Sequence, residues 1–305
     1  MKTLDDVASQ NRACVVPDKI LVATDLSDVE YLIPHAMAQA RACGSSLTLV
    51  HVIPPGEAIP LDASAIPYLD VTEMKEEAKD ILERAAHQIR DAGIPCDVVV
   101  AEGNPRDQIR AQTRELHAGR ILAGTHGRRH LKKLLLGSVA HEILRISEVP
   151  VCTIGPHAHE ASSFGAPRKI LHPVSLCAGY ESSARTALEM AQFYGAEITL
   201  LHVLSRNVKS QPDADRVIAW TQSELRRAVP EEASLWTHAT VQVEIGDVVE
   251  HVLSVAAERE ADLIVLGVNA DFSFWPIHGD DTVYNIIAKA KCPVLSIRHT
   301  PESRK

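Results

Sequence analysis

The sequence predicts an α/β fold of two tandem, open, doubly wound parallel sheets, each of five strands with helices on both faces. Three observations predict it. Short β-branched runs bounded by Gly or Pro alternate with longer stretches of helical period, the alternation occurs twice, and 305 residues at 46% hydrophobic content suffice for two cores. In the first half, strands are expected near 19–24, 46–52, 96–101, 119–124 and 150–154. Helices are expected over about 28–43, 71–92, 105–117 and 138–147. The first strand is the run KILVATD, the second SLTLVHV, the fourth RILAG and the fifth VPVCTI.

The second half repeats these landmarks in the same order. KILVATD (19–25) returns as KILHPVS (169–175), SLTLVHV (46–52) as EITLLHV (197–203), and EGNPRDQI (102–109) as EIGDVVEHV (244–252). RILAG (120–124) returns as LIVLG (263–267), and VPVCTI (149–154) as CPVLSI (292–297). The offset falls from 150 or 151 early to 143 late, because the second copy lacks residues around 54–80. There the first half carries a Pro-rich loop, PPGEAIPLDASAIP, a candidate lid over 54–67. The predicted domains are 17–155 and 169–299, joined by a linker over 156–168.

In open α/β sheets ligands sit beyond the C-terminal ends of the strands, and Asp25, Val52, Gly103 and Gly124 all fall at such ends. The segment Gly124–Ser138, GTHGRRHLKKLLLGS, adds a G-x-x-G-x9-G-S pattern between a strand and a helix. Gly124 and Gly127 allow backbone to approach an anion closely, and Gly137 and Ser138 open a helix whose unpaired N–H groups favour a phosphate. Arg128, Arg129, His130, Lys132 and Lys133 make the intervening loop basic. The pattern is neither a P-loop nor the G-x-G-x-x-G dinucleotide fingerprint. Asp25 can accept a hydrogen bond from an adenine amino group or a ribose hydroxyl, help hold a metal on phosphates, or cap a helix beginning near Ser27.

These residues resemble the universal stress protein family over nearly the whole chain, as two tandem domains of adenine-nucleotide alpha-hydrolase-like fold. The resembling pattern is Asp25 after the first strand, LVHV in the second, GNP at 103–105, then GTHGR with Gly137 and Ser138. The resemblance implies that Ala23, Thr24, Asp25 and Val52 meet the base of ATP. It further implies that Gly124, His126, Gly127 and Arg128 surround ribose and phosphates, and that Gly137, Ser138 and Val139 hold the terminal phosphates with Mg²⁺ or Mn²⁺.

The second half departs where the ligand would sit. Asp25 maps to Ser175, Gly127 to Ala270, Gly137 to Asp280 and Ser138 to Asp281, with Asp271 alongside. A carboxylate about 6 Å from a phosphate charge costs roughly 3 kcal/mol at an effective dielectric near 20, so no ATP is expected there. Phe272, Phe274 and Trp275 are candidates to plug the crevice instead.

Composition sets the remaining expectations. A net charge of −9 argues against a nucleic-acid partner, and no apolar run has the length of a membrane span. The N-terminal stretch has acids and no secretory apolar core, so the expected compartment is the cytoplasm. Six cysteines without C-x-x-C spacing read as single buried thiols. The cluster His157, His159 and His172 reads as linker histidines, with no metal expected, and His51 and His202, at equivalent strand positions, as packing or hydrogen-bonding groups. The Pro-led last strands of the two halves are expected to pair, forming an intramolecular pseudo-dimer, with a homodimer of chains and an unidentified protein partner beyond it. The expected function is a nucleotide-responsive regulatory or stress-survival module with one ATP site per chain. Slow ATP hydrolysis or phosphoryl transfer at that site, and a nucleotide-independent oligomeric scaffold, are the alternatives.

Overall fold

The computed structural model describes residues 15–55, 71–125, 138–158, 166–177, 179–235, 237–269 and 282–299. The first half comprises β1 (Lys19–Ala23), α1 (Val29–Cys43), β2 (Ser46–Ile53), α2 (Val71–Asp91), β3 (Cys96–Glu102), α3 (Pro105–Glu115), β4 (Arg120–Gly124), α4 (Ser138–Ile146) and β5 (Val151–Ile154). The second comprises β6 (Lys169–Pro173), α5 (Tyr180–Tyr194), β7 (Glu197–Leu204), α6 (Ala214–Arg227), β8 (Ala239–Ile245), α7 (Val248–Glu258), β9 (Leu263–Asn269), α8 (Thr282–Lys289) and β10 (Val294–His299). Short 3₁₀ turns, Arg206–Ser210 and Glu231–Leu235, flank α6.

Both halves are open parallel sheets, and they join edge to edge into one ten-stranded sheet ordered β3-β2-β1-β4-β5-β10-β9-β6-β7-β8. Strands β1 and β2 are buried almost throughout, as continuous apolar runs require when helices cover both faces. Strand alternation divides the core in two. Ile20 and Val22 point into one layer beneath α1, α2 and α5, whereas Leu21 and Ala23 point into the other beneath α3, α4, α7 and α8. Each layer runs unbroken through both halves. Helix α3 ends at Glu115, two residues short of the predicted end, because His117 adopts φ 53° and Ala118 N–H turns back to the Thr113 carbonyl. Glu260, its repeat equivalent, has the same φ of 53°.

The halves meet as an approximate twofold. Strands β5 and β10 pair antiparallel with Cys152 opposite Leu295, Val151 opposite Ser296 and Thr153 opposite Val294. Cys152 and Leu295 are repeat equivalents (152 + 143 = 295), so the pseudo-axis passes between them. It also passes through the layers above and below. Cys43 Sγ lies 3.2 Å from the hydroxyl of Tyr194, its equivalent at offset 151, and the ring of His141 meets Tyr284, its equivalent at 143, at 4.6 Å between centroids. Thr153 Oγ1 donates to the Val294 carbonyl at 3.1 Å, and the Arg298 guanidinium caps carbonyls of Leu144 and Arg145 at the end of α4.

Candidate nucleotide site

Strands β2 and β3 lie on one side of β1, and β4 and β5 on the other, so the chain reverses its winding between β1 and β4. This switch point opens a crevice at the C-terminal strand ends. Ala23 pairs in register with Ala123, which sets Thr24 and Asp25 beside Gly124. Val52 lies on the neighbouring strand, two residues beyond the Ala23–Val50 pair. Ala23 and Val52 are buried, and Thr24, Asp25 and Gly124 are half-buried at the rim.

The turn leaving β1 is tightly wired. Thr24 N–H donates to the Val50 carbonyl at 3.1 Å, and His51 Nδ1 lies 2.9 Å from the Thr24 carbonyl. Leu26 takes φ 75°, an uncommon conformation for a non-glycine residue, and its N–H donates to Thr24 Oγ1 at 3.0 Å. Asp25 Oδ1 accepts from the Ser27 N–H at 3.0 Å and the Ser27 hydroxyl at 2.6 Å. Asp25 therefore closes the turn rather than capping a helix at Ser27, because α1 starts at Val29.

Asp28 stands at the head of α1 but makes no side-chain cap. Its carboxylate turns to accept from the Thr24 hydroxyl and packs against β4: a Cβ added to Gly124 would lie 2.2 Å from Asp28 Oδ2. Burial raises the Asp28 pKa to about 6, the nearby charge of Asp25 adds to the rise, and the Thr24 hydrogen bond opposes it. Sequence reading passed over this residue. Its signal is the spacing Thr24-x3-Asp28 beside Asp25, a carboxylate that the second copy lacks.

On the far side of β2, Gly103 adopts φ 129° and its N–H donates to the Ile53 carbonyl at 3.0 Å. Asn104 then caps α3 by accepting from Arg106 N–H at 3.0 Å, ahead of Pro105 in the first turn. Helix α4 begins at Ser138, where the glycine pattern ends, and Val139 in its first turn is 41% exposed. Helix α4 has nine residues, and the first N–H groups of any helix have no partner within it. His126, Gly127, Arg128 and Gly137 lie outside the described residues, as do the 56–67 part of the candidate lid, Ala270, Asp271, Asp280, Asp281 and the aromatic trio Phe272, Phe274 and Trp275.

The second half keeps the backbone of this turn and loses its carboxylates. Val174 N–H donates to the Leu201 carbonyl at 2.8 Å, His202 Nδ1 lies 2.7 Å from the Val174 carbonyl, and Leu176 takes φ 46°. At offset 150 Thr24, Asp25 and Ser27 are replaced by Val174, Ser175 and Cys177; Asp28, the residue before α1, is replaced by Gly179, the residue before α5, and the Ser27–Asp25 contact by a 2.9 Å contact between Ser175 Oγ and Cys177 Sγ. The paired His51 and His202 thus hold strand-end carbonyls. His172, from the candidate histidine cluster, is buried with Nδ1 2.8 Å from the Val265 carbonyl and Nε2 facing Ser183. No group of three metal-ligating side chains occurs among the described residues, and no helix among them is long and apolar enough to cross a membrane. The described cysteines Cys43, Cys96, Cys152, Cys177 and Cys292 are free thiols, and all but Cys43 and Cys177 are buried.

Fold and topology together define a class: a tandem pair of open α/β domains joined edge to edge, each with its winding reversed beside its first strand. The universal stress protein family model matches residues 17–154 and again 167–298, and the chain belongs to that family as a tandem member. It is 28% identical over 145 residues to the universal stress protein YxiE of Bacillus subtilis, a match covering 45% of this chain and 98% of YxiE. A solved universal stress protein from Archaeoglobus fulgidus superposes with TM-score 0.71 at 20% identity, covering 95% of this chain and all of that one. A shorter universal stress protein from the same organism, solved in complex with dAMP, matches 46% of this chain and 98% of its own at 24% identity and TM-score 0.35.

Proposed function

We propose that the chain is a nucleotide-responsive regulatory module that binds one ATP, with Mg²⁺ or Mn²⁺, in the crevice of its first half. The second half is a pseudo-copy that completes the paired sheet and binds no nucleotide. One observation carries this reading: the same strained turn occurs in both halves, but only the first arms it with Thr24, Asp25, Ser27 and Asp28 beside Gly124. The donor set fits the ligand. Asp25 is an oxygen donor of the kind a divalent cation takes, and the head of α4 suits the phosphates that such a cation accompanies. The basic run Arg128–Lys133 supplies further positive charge by its sequence position. When bound, the cation would neutralise phosphate charge; the chain itself binds and orients.

No P-loop lysine is present, which favours binding over turnover. A thermal-shift titration with ATP and Mg²⁺ tests the site. Ligand at a hundred times its Kd stabilises a single-site protein by roughly 2.7 kcal/mol, so a clear upward shift is expected in the wild type and none in Gly127→Val. Equal shifts in both would refute the assignment. Phosphate release that disappears in Asp25→Ala would replace the binding reading with the enzymatic one.

A further inference from the structure

The turn that leaves β1 carries a hydrogen-bond relay wrapped around Asp25. Thr24 Oγ1 accepts the Leu26 N–H at 3.0 Å and donates to Asp28 Oδ1, so the single proton of this hydroxyl is committed to Asp28 and its direction is fixed. The backbone N–H of Asp25 also stabilises the Asp28 carboxylate. On its other side that carboxylate is seated on Gly124, where an added Cβ would fall 2.2 Å from Oδ2. Asp28 therefore ties Thr24 and Asp25 to the end of β4. The side chain of Asp25 is held in turn, its Oδ1 accepting the Ser27 N–H and hydroxyl at 3.0 and 2.6 Å.

The second half shows what the backbone needs on its own. Val174 stands at the position of Thr24, and Gly179 precedes α5 where Asp28 precedes α1, so no hydroxyl and carboxylate can form the relay there. The turn nevertheless forms. Leu176 takes φ 46° as Leu26 takes 75°, and Val174 N–H donates to the Leu201 carbonyl as Thr24 N–H donates to that of Val50. The relay is thus dispensable for the turn. It is also costly: Asp28 occupies the residue before α1 without capping the helix, and its burial beside Asp25 disfavours the charged carboxylate. A buried carboxylate that the backbone does not require, and that is withdrawn from capping, answers a demand of the crevice.

We propose that Asp28 is a positioning residue: acting through Thr24 and the Asp25 N–H, it holds the Asp25 carboxylate in the direction that accepts from the amino group of the bound base. This role rests on the nucleotide site proposed above and adds to it the origin of its base selectivity. Asp25 is half-buried at the rim, where a loosely held carboxylate turns to water and pays side-chain entropy to return. A fixed one keeps the hydrogen bond and rejects a base that lacks the donor.

Isothermal titration calorimetry of the full chain tests this with ATP and with purine riboside triphosphate, which lacks the amino group and keeps the sugar and phosphates. The wild type is expected to bind ATP at least about tenfold tighter than the analogue. Asp28→Ala and Thr24→Val, the latter carrying the residue of the second half, are each expected to cut that preference below about threefold by weakening ATP alone. Together they should cost no more than either does singly, because they break one relay. Asp28→Asn keeps an acceptor for the Thr24 hydroxyl and is expected to retain the preference. Unchanged binding of the analogue shows that each variant is folded. A preference kept in both Asp28→Ala and Thr24→Val, equal weakening of the two ligands, or equal affinities in the wild type would overturn the role of Asp28 and leave the nucleotide site standing. A wild type that binds neither triphosphate would remove the site and this role with it.

Discussion

Gly124→Ala probes the least anticipated contact of the nucleotide crevice, the seating of Asp28 on the end of β4. The added Cβ would fall 2.2 Å from Asp28 Oδ2 and 3.2 Å from its Cγ, so the carboxylate must retreat by about 1 Å to reach ordinary contact. That movement breaks the hydrogen bond from Thr24, worth about 1.5–3 kcal/mol for a charged acceptor, or strains the turn by a similar amount. Alanine recovers about 0.4–1 kcal/mol by restricting the unfolded chain. The net expectation is a loss of about 1–2 kcal/mol, read from the shift of the urea midpoint at constant m-value. In an Asp28→Ala background the obstacle is gone and the same substitution should cost under about 0.5 kcal/mol, a coupling that a double-mutant cycle measures. Equal losses in the two backgrounds would refute the contact.

Three further outcomes follow from the same geometry. Burial holds the folded pKa of Asp28 near 6, above its unfolded value of about 3.9, so folding favours the protonated acid. Its contribution to stability is therefore greatest below about pH 4, is lost as pH rises through about 6, and is level beyond; half-buried as it is, the total is about 1–3 kcal/mol. Asp28→Asn should flatten this part of the pH–stability curve, and an unchanged curve would assign the dependence to other groups. Gly103→Ala places a side chain at φ 129°, within 3.1 Å of Gln108 Nε2, and should lower stability by about 1–3 kcal/mol in chemical denaturation. Arg298→Met removes the cross-half cap on α4 and should cost about 1–2 kcal/mol, read as an earlier loss of β5–β10 amide protection in hydrogen exchange; wild-type protection would show that the cap is idle.

The fold was largely legible because its signals are local and repeated. Buried strands such as KILVA and SLTLVHV read as apolar runs whichever neighbours they acquire, and the second copy corroborated each. The joining of ten strands into one sheet was legible only as Pro-led apolar edges, because edge pairing depends on register, which the sequence does not display. The glycine pattern does bracket the end of β4 and the start of α4, but Asp28 escaped because its position reads as an ordinary helix cap. Only the packing of β1 against β4 turns that carboxylate toward Gly124.

Native mass spectrometry of the full chain with ATP and Mg²⁺ tests the central claim most directly, because it counts nucleotides per polypeptide. The account predicts one, lost in Gly137→Asp. Two bound nucleotides would contradict the asymmetry drawn from Thr24–Asp28 and Val174–Gly179, and none would contradict the nucleotide site itself.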